Sequence, residues 1–182
     1  MTRIRILERD DMNEAQANVY DETLAKGGPV GGPFYAYIRI PELMRLAQDL
    51  RTCLNDGPLS GRERQIINLA VARHWNAEYP WFAQARNALA VDLDREIIDA
   101  INANQTPEIA DPREQAIYSV ARELLANQKL SDATYASAEA ALGLEHLVAA
   151  VASVGQFAMT CCTANAFEID APADAPIPLA AT

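Results

Sequence analysis

From Leu147 to Ala166 the chain carries no charged side chain. A run of that length, rich in Ala, Val, Met and Cys and preceded by the stop signal Gly143, reads as one long helix from about Glu145 to Phe167. Water is a poor solvent for such a helix on all sides, so it belongs at the centre of a helical bundle or at a subunit interface.

The rest of the sequence supplies that bundle. Asp10 precedes an amphipathic run to Ala25, with Ala15, Val19 and Leu24 at helical spacing. Pro41 sits at a first helical position for a run through Leu54, and Ser60 with Glu63 forms a capping-box pattern for the next. Pro80 restarts a helix, Asp92 opens one to Ile101, "DPRE" at Asp111 to Glu114 caps another through Leu125, and Ser131 caps a run to Leu142. No segment alternates as a strand does. The reading is an all-α, single-domain bundle of about eight helices spanning 1–182. Residues 1–32 supply a first helix and a Gly/Pro loop, "KGGPVGGPF", which ends in the aromatic anchor Phe34. Residues 168–182 hold three prolines and no periodicity, a tail either disordered or laid over a neighbour.

Charge narrows the partners. With 25 acidic and 15 basic residues the formal net charge is -10, which repels nucleic-acid backbones and anionic lipid. The start, "MTRIRILERDDMNEAQ", lacks the apolar core of a signal peptide, and no stretch is uninterruptedly apolar over about 18 residues, so the expectation is a cytoplasmic protein without nucleic-acid or membrane partners. Cys53, Cys161 and Cys162 read as reduced thiols; a strained vicinal disulfide between the last two competes with simple burial in an apolar setting. His74 and His146 are the only histidines, and no thiols cluster, so neither a metal nor another cofactor is expected.

One stretch breaks the alanine-rich monotony: "ARHWNAEYPWFAQARNAL", Ala72 to Leu89. Glu63, Ile67, Ala70 and His74 recur on one helical side, which turns His74 inward, either as a hydrogen-bonded core histidine or as an acid–base group. Pro80 removes a donor and holds Tyr79 out of the α region. With Pro80 first in its helix, free backbone amides point toward Glu78 and His74, a setting for an anionic or enolate-like ligand. Packing is the competing account: Trp75 and Trp81 are large core fillers, and Glu78 fits an exposed first turn.

The order "PLSGRERQIINLAVARHWNAEYPWFAQARNALAVDLDREIIDAI", then "SDATYASAEAALG" and "LVAAVASVGQFAMTCCTANAFEI", resembles the carboxymuconolactone decarboxylase family, whose relatives include the alkylhydroperoxidase D-like proteins. The resemblance runs from Pro33 to Ile169. It implies an all-helical domain whose central helix hairpin frames a pocket, assembled into a symmetric homo-oligomer, often a trimer or hexamer. The peroxidase branch needs a C-x-x-C pair, an earlier glutamate and a following histidine; here those positions are Ala77, Pro80, Gln65 and Gln84. Thiol chemistry has no footing there. The decarboxylase-like branch commonly reads E-Y-E-W-x-x-H, where this chain has Glu78, Tyr79, Pro80, Trp81 and then Gln84.

Together with the retained residues, the resemblance implies a cofactor-independent enzyme acting on a small organic acid, lactone or aromatic metabolite. Its acid–base work falls to His74, Glu78 and Tyr79, and its substrate contacts to Gln65, Trp81 and Gln84. The Gly-rich loop with Phe34, Tyr35 and Tyr37 closes over the ligand. The alternative is a non-catalytic small-molecule-binding or structural protein that has shed the family's reactive groups.

Overall fold

The computed structural model describes residues 2–173 and 175–181. Among them are nine α-helices and no strand. The helices are α1 (Glu14–Ala25), α2 (Phe34–Tyr37), α3 (Pro41–Asn55), α4 (Gly61–His74), α5 (Glu78–Ala90), α6 (Arg95–Asn102), α7 (Pro112–Asn127), α8 (Asp132–Leu142) and α9 (Leu144–Ala166).

Local chemistry sets most of the boundaries. Ser60 and Glu63 exchange both bonds of a capping box at the start of α4. Asp111 accepts from the Arg113 and Glu114 amides at α7, and Ser131 accepts from the Thr134 amide at α8. Three starts differ from the sequence reading. Asp10 lies in a short 3₁₀ turn, and the capping box of α1 is formed by Asn13 and Gln16. Asp92 is a left-handed turn residue (φ 54°), so α6 begins after Asp94. Pro80 is the third residue of α5, not the first; helix geometry tolerates it there because the first four helical amides have no intrahelical acceptor.

α4 is the central element, packed on α5, α6, α7 and α9, and it buries Ile66, Ile67, Leu69 and Val71. Around it Trp81, Ile98, Ile117, Val120 and Cys161 complete the main core. At its first turn Arg62 bridges Glu114 (2.6 Å) and Asp94 (2.9 Å), while Arg113 reaches Glu63 (3.1 Å), so α4, α6 and α7 are tied together at one end.

α9 occupies a different place from the centre. One face buries Leu147, Ala150, Val154, Phe157 and Cys161, while Leu144, Val148, Val151 and Met159 stand exposed. By length and composition α9 also passes as a helix able to cross a bilayer, although Ser153, Gln156, Thr160 and Thr163 interrupt its apolar run; here it packs on α4, α7 and α8.

A second apolar cluster, built from Val19, Phe34, Tyr37, Ile38, Met44 and Ala47, holds α1, α2 and α3 together as a layer beside the bundle. That layer joins α9 through α3 and through the Tyr37 hydroxyl, 3.0 Å from the Thr163 hydroxyl. The tail from 175 to 181 lies on its own chain. Ile177 is buried, and its carbonyl accepts the Trp81 indole N–H at 3.0 Å. Asn102 brackets the next residues, donating to the Pro178 carbonyl (2.9 Å) and accepting from the Ala180 amide (2.8 Å).

Candidate functional site

A cavity of about 590 Å³ lies between the main bundle and the N-terminal layer. The α4–α5 hairpin supplies one wall, α9 a second, and the loop from Pro29 to Phe34 with the end of α3 a third. A helix turns 100° per residue, so side chains three or four apart share a face. On α5 that rule brings Tyr79, Ala83, Arg86, Asn87 and Ala90 to the cavity; on α4 it brings Arg64, Gln65 and Asn68.

The same rule separates two residues that the sequence reading combined. Gln65 and His74 are nine positions apart, two and a half turns, and therefore face opposite ways. Gln65 lines the cavity, whereas His74 is exposed on the far side toward α7 and does not turn inward as expected. Partial burial and the Arg122 charge hold its imidazole below the ordinary histidine value. The stripe of Glu63, Ile67, Ala70 and His74 does face a neighbour, but that neighbour is α7.

The remaining candidates divide similarly. Phe34, Tyr79 and Gln84 line the cavity with Gln65. Glu78 is exposed in the first turn of α5. Trp81, two residues past Tyr79, points into the main core with 0% exposure. Tyr37 makes an edge contact with Phe34 (centroids 5.5 Å apart), while its hydroxyl turns to Thr163 on α9. Of the positions matched to the thiol relay of the peroxidase branch, Gln65, Pro80 and Gln84 are on the cavity wall and Ala77 is buried.

Tyr79 is held by the glycine loop. Gly32 has φ 64°, and a Cβ there would stand 2.1 Å from the Tyr79 ring, so only glycine lets the backbone pass. A Cβ on Gly31 would meet both the Tyr79 and the Tyr35 hydroxyl oxygens at 3.3 Å. Burial raises the Tyr79 phenol above its ordinary value and Tyr35 adds to the effect, while Arg86 opposes it. The phenol is therefore protonated throughout the neutral range.

Polar groups missed in the sequence complete the lining. Asn68 donates to Gln84 (3.2 Å), and the Gln65 side-chain oxygen is buried without a protein partner. Arg51, Arg64 and Arg86 all line the cavity, against Asp56 as its one carboxylate. Arg51 is half buried, which lowers its pKa, and the Asp56 charge offsets part of that cost. Its Nε donates to Gln48 (3.2 Å), Arg64 donates to the Leu59 carbonyl, and the Arg86 guanidinium lies over the Phe82 ring (5.6 Å). Among the described residues none of the three forms an ion pair within 4 Å. A legible signal existed: Arg64, Gln65 and Asn68 share one face of α4, Gln84 and Asn87 lie close together on α5, and all five line the cavity.

Among the described residues no group of three or more His, Cys, Asp or Glu side chains converges as a metal site would require. The three thiols are free; Cys161 is buried, and burial pushes its pKa far up, so it is no ready thiolate.

Residues 41–123 match the model of the carboxymuconolactone decarboxylase family. Over that segment the chain is similar to this family. The fold extends the likeness across the chain. A peroxidase-related protein of Ralstonia eutropha JMP134, described as an alkylhydroperoxidase AhpD core, superposes with a TM-score of 0.77 at 16% identity, covering 97% of each chain. A peroxidase-related protein of Silicibacter sp. TM1040 gives 0.78 at 17%, covering 98% of this chain and 96% of that one. A putative antioxidant defence protein AhpD of Agrobacterium tumefaciens gives 0.70 at 14%, covering 79% and 100%. At these identities the likeness is one of fold. No curated protein matches the sequence significantly.

Proposed function

We propose that this carboxymuconolactone decarboxylase family chain is a cofactor-independent enzyme of organic acids, working by acid–base chemistry in the cavity between α4, α5 and α9. The observation that carries the reading is the gathering of Arg51, Arg64 and Arg86 around one cavity in a protein of net charge -10. Where the chain as a whole repels anions, three guanidiniums with spare donors attract them locally.

Tyr79 is the group placed to move a proton. In a decarboxylation the departing carbon dioxide leaves its bonding electron pair on the adjacent carbon, as an enolate when a carbonyl is next to it. Arg86 stabilises that negative charge, the Tyr79 hydroxyl donates its proton to the carbon, and the phenolate regains a proton from water. Gln65 and Gln84 orient the substrate by hydrogen bonds. A mixed panel of oxo acids, lactone acids and aromatic acids, followed by mass spectrometry, is expected to show loss of carbon dioxide or isomerisation. The rate should stay flat from pH 7 to 9, since the phenol does not ionise there. A rate that falls steeply across that window removes Tyr79 as donor.

A second reading has its own observation. Gln65, Pro80 and Gln84 put no imidazole, thiol or further carboxylate where the family's reactive groups stand, which suits a protein that binds an acid without turning it over. Retained binding with no product from any acid selects that reading.

Self-association through α9 is part of the same proposal. Leu144, Val148, Val151, Gly155, Met159 and Cys162 form one exposed stripe along its length. Sedimentation at micromolar concentration is expected to show a trimer or hexamer, and Val148→Asp with Val151→Asp should dissociate it to monomer. A monomeric wild type contradicts this.

A further inference from the structure

The hydrogen-bonding capacity of the cavity is divided between its walls. Arg64 and Arg86 on the α4–α5 hairpin and Arg51 on α3 are donors only, since a guanidinium has no lone pair to offer. The α9 wall is the converse. Ser153, Gln156 and Thr160 line the cavity from it at spacings of three and four residues, one side of the helix. The Ser153 hydroxyl donates its proton to the Ala149 carbonyl (2.8 Å), and the Thr160 hydroxyl donates to the Gln156 main-chain carbonyl (3.3 Å). Toward anything further, both oxygens can only accept.

That arrangement also settles which way the Gln156 amide is turned. A hydroxyl whose proton is already engaged must receive the 3.2 Å contact, so the amide nitrogen is the end that donates to Thr160. The amide oxygen is left over, without a partner among the described residues. A carboxylate cannot meet this wall, because it brings lone pairs alone to groups that offer lone pairs alone. Whatever faces α9 must carry its own hydrogens.

The hairpin repeats the demand. Asn68 and Gln84 share one bond (3.2 Å), and whichever way the two amides are turned, an amide oxygen and an amide nitrogen remain for the cavity. One such pair would suit a single carboxamide, but acceptors on α9 and on the hairpin together call for donors at several points of one ligand. Hydroxyls supply them. An ammonium does not suit, since three guanidiniums repel it and Asp56, the one carboxylate of the lining, already offsets the Arg51 charge.

We infer that the acid taken by this cavity is polyhydroxylated, a sugar acid in chemical class, with its carboxylate on the arginine side and its hydroxyls donating to Ser153, Gln156 and Thr160 of α9. This rests on the organic-acid reading above and names the substrate class within it. In the free protein water supplies the donors these oxygens need. An alkyl acid displaces that water and returns no hydrogen bond, whereas a polyol replaces each bond in place. A site built to bond hydroxyls therefore rejects the analogue that lacks them.

Isothermal titration of the intact protein with gluconate, galactonate, hexanoate, 2-aminohexanoate and the neutral polyol glucitol tests this. The better of the two sugar acids is expected to bind at least tenfold more tightly than hexanoate, 2-aminohexanoate or glucitol. Gln156→Met keeps the length of the side chain and removes the acceptor; it should weaken the sugar acid at least fivefold and leave hexanoate unchanged. Circular dichroism matched to wild type separates a binding loss from a folding loss, and Ser153→Ala provides an independent variant on the same wall. Hexanoate or 2-aminohexanoate binding as tightly as both sugar acids, or a sugar acid undiminished in both variants, overturns the inference while the organic-acid reading stands. Glucitol binding as tightly as every acid, or no acid binding up to millimolar concentration, overturns both.

Discussion

Tyr79→Phe is expected to cut turnover by about 100- to 10,000-fold, the range general acid catalysis supplies, while ligand affinity changes little. The substitution removes one hydroxyl and keeps the ring that Gly32 packs against, so the cavity wall survives. His74→Ala is the matched control and should leave turnover near wild type, because His74 is exposed on the opposite face of α4 from Gln65. The pH dependence separates the two donors further. Burial and Arg122 lower the His74 pKa, so an imidazolium donor would be available only below the ordinary histidine range and its rate would decline as pH rises through that lowered value. The Tyr79 phenol is shifted upward and stays a donor until well into alkaline solution. Normal activity in Tyr79→Phe, or inactivity in His74→Ala, would reverse these assignments.

The reach of the sequence is clearest where structure depends on neighbours in the chain. Ser60 with Glu63, Asp111 and Ser131 cap the helices they were expected to cap, since an N-cap is settled by three or four consecutive residues. α2 escaped because a single turn has no period to detect between Gly32 and Pro41. His74 shows a different gap. Heptad spacing tells which residues share a face, but α4 has neighbours on several sides, and spacing alone does not say which of them borders the cavity. The arginines were overlooked because Arg51, Arg64 and Arg86 are on three different helices and meet only through tertiary packing. The tail was unreadable for another reason. Its anchoring uses the carbonyls of Ile177 and Pro178 and the amide of Ala180, groups every residue carries and no side-chain pattern betrays.

That tail makes Trp81 the residue whose loss should cost most in stability. Its ring is fully buried in the main core, and its N–H holds the Ile177 carbonyl. Trp81→Ala is expected to lose about 3–5 kcal/mol through the vacated volume and the unpaired carbonyl, measured as a shift of the urea midpoint. Trp81→Phe keeps much of the volume and should lose about 1–2 kcal/mol, chiefly the hydrogen bond. Removing residues 175–182 tests the contact from the other side: Ile177 leaves the core, about 2 kcal/mol is lost, and the Trp81 indole N–H faces water. Fluorescence reports the same event without denaturant, since Trp75 is already 38% exposed and the remaining tryptophan signal is Trp81. Truncation should shift the emission toward the red and increase quenching by iodide. If Trp81→Phe and the truncation each cost what is expected but their combination costs no more than the truncation alone, the indole and the tail form one coupled unit. Full additivity would mean that Trp81 stabilises the bundle independently and that the tail docks on a surface already formed.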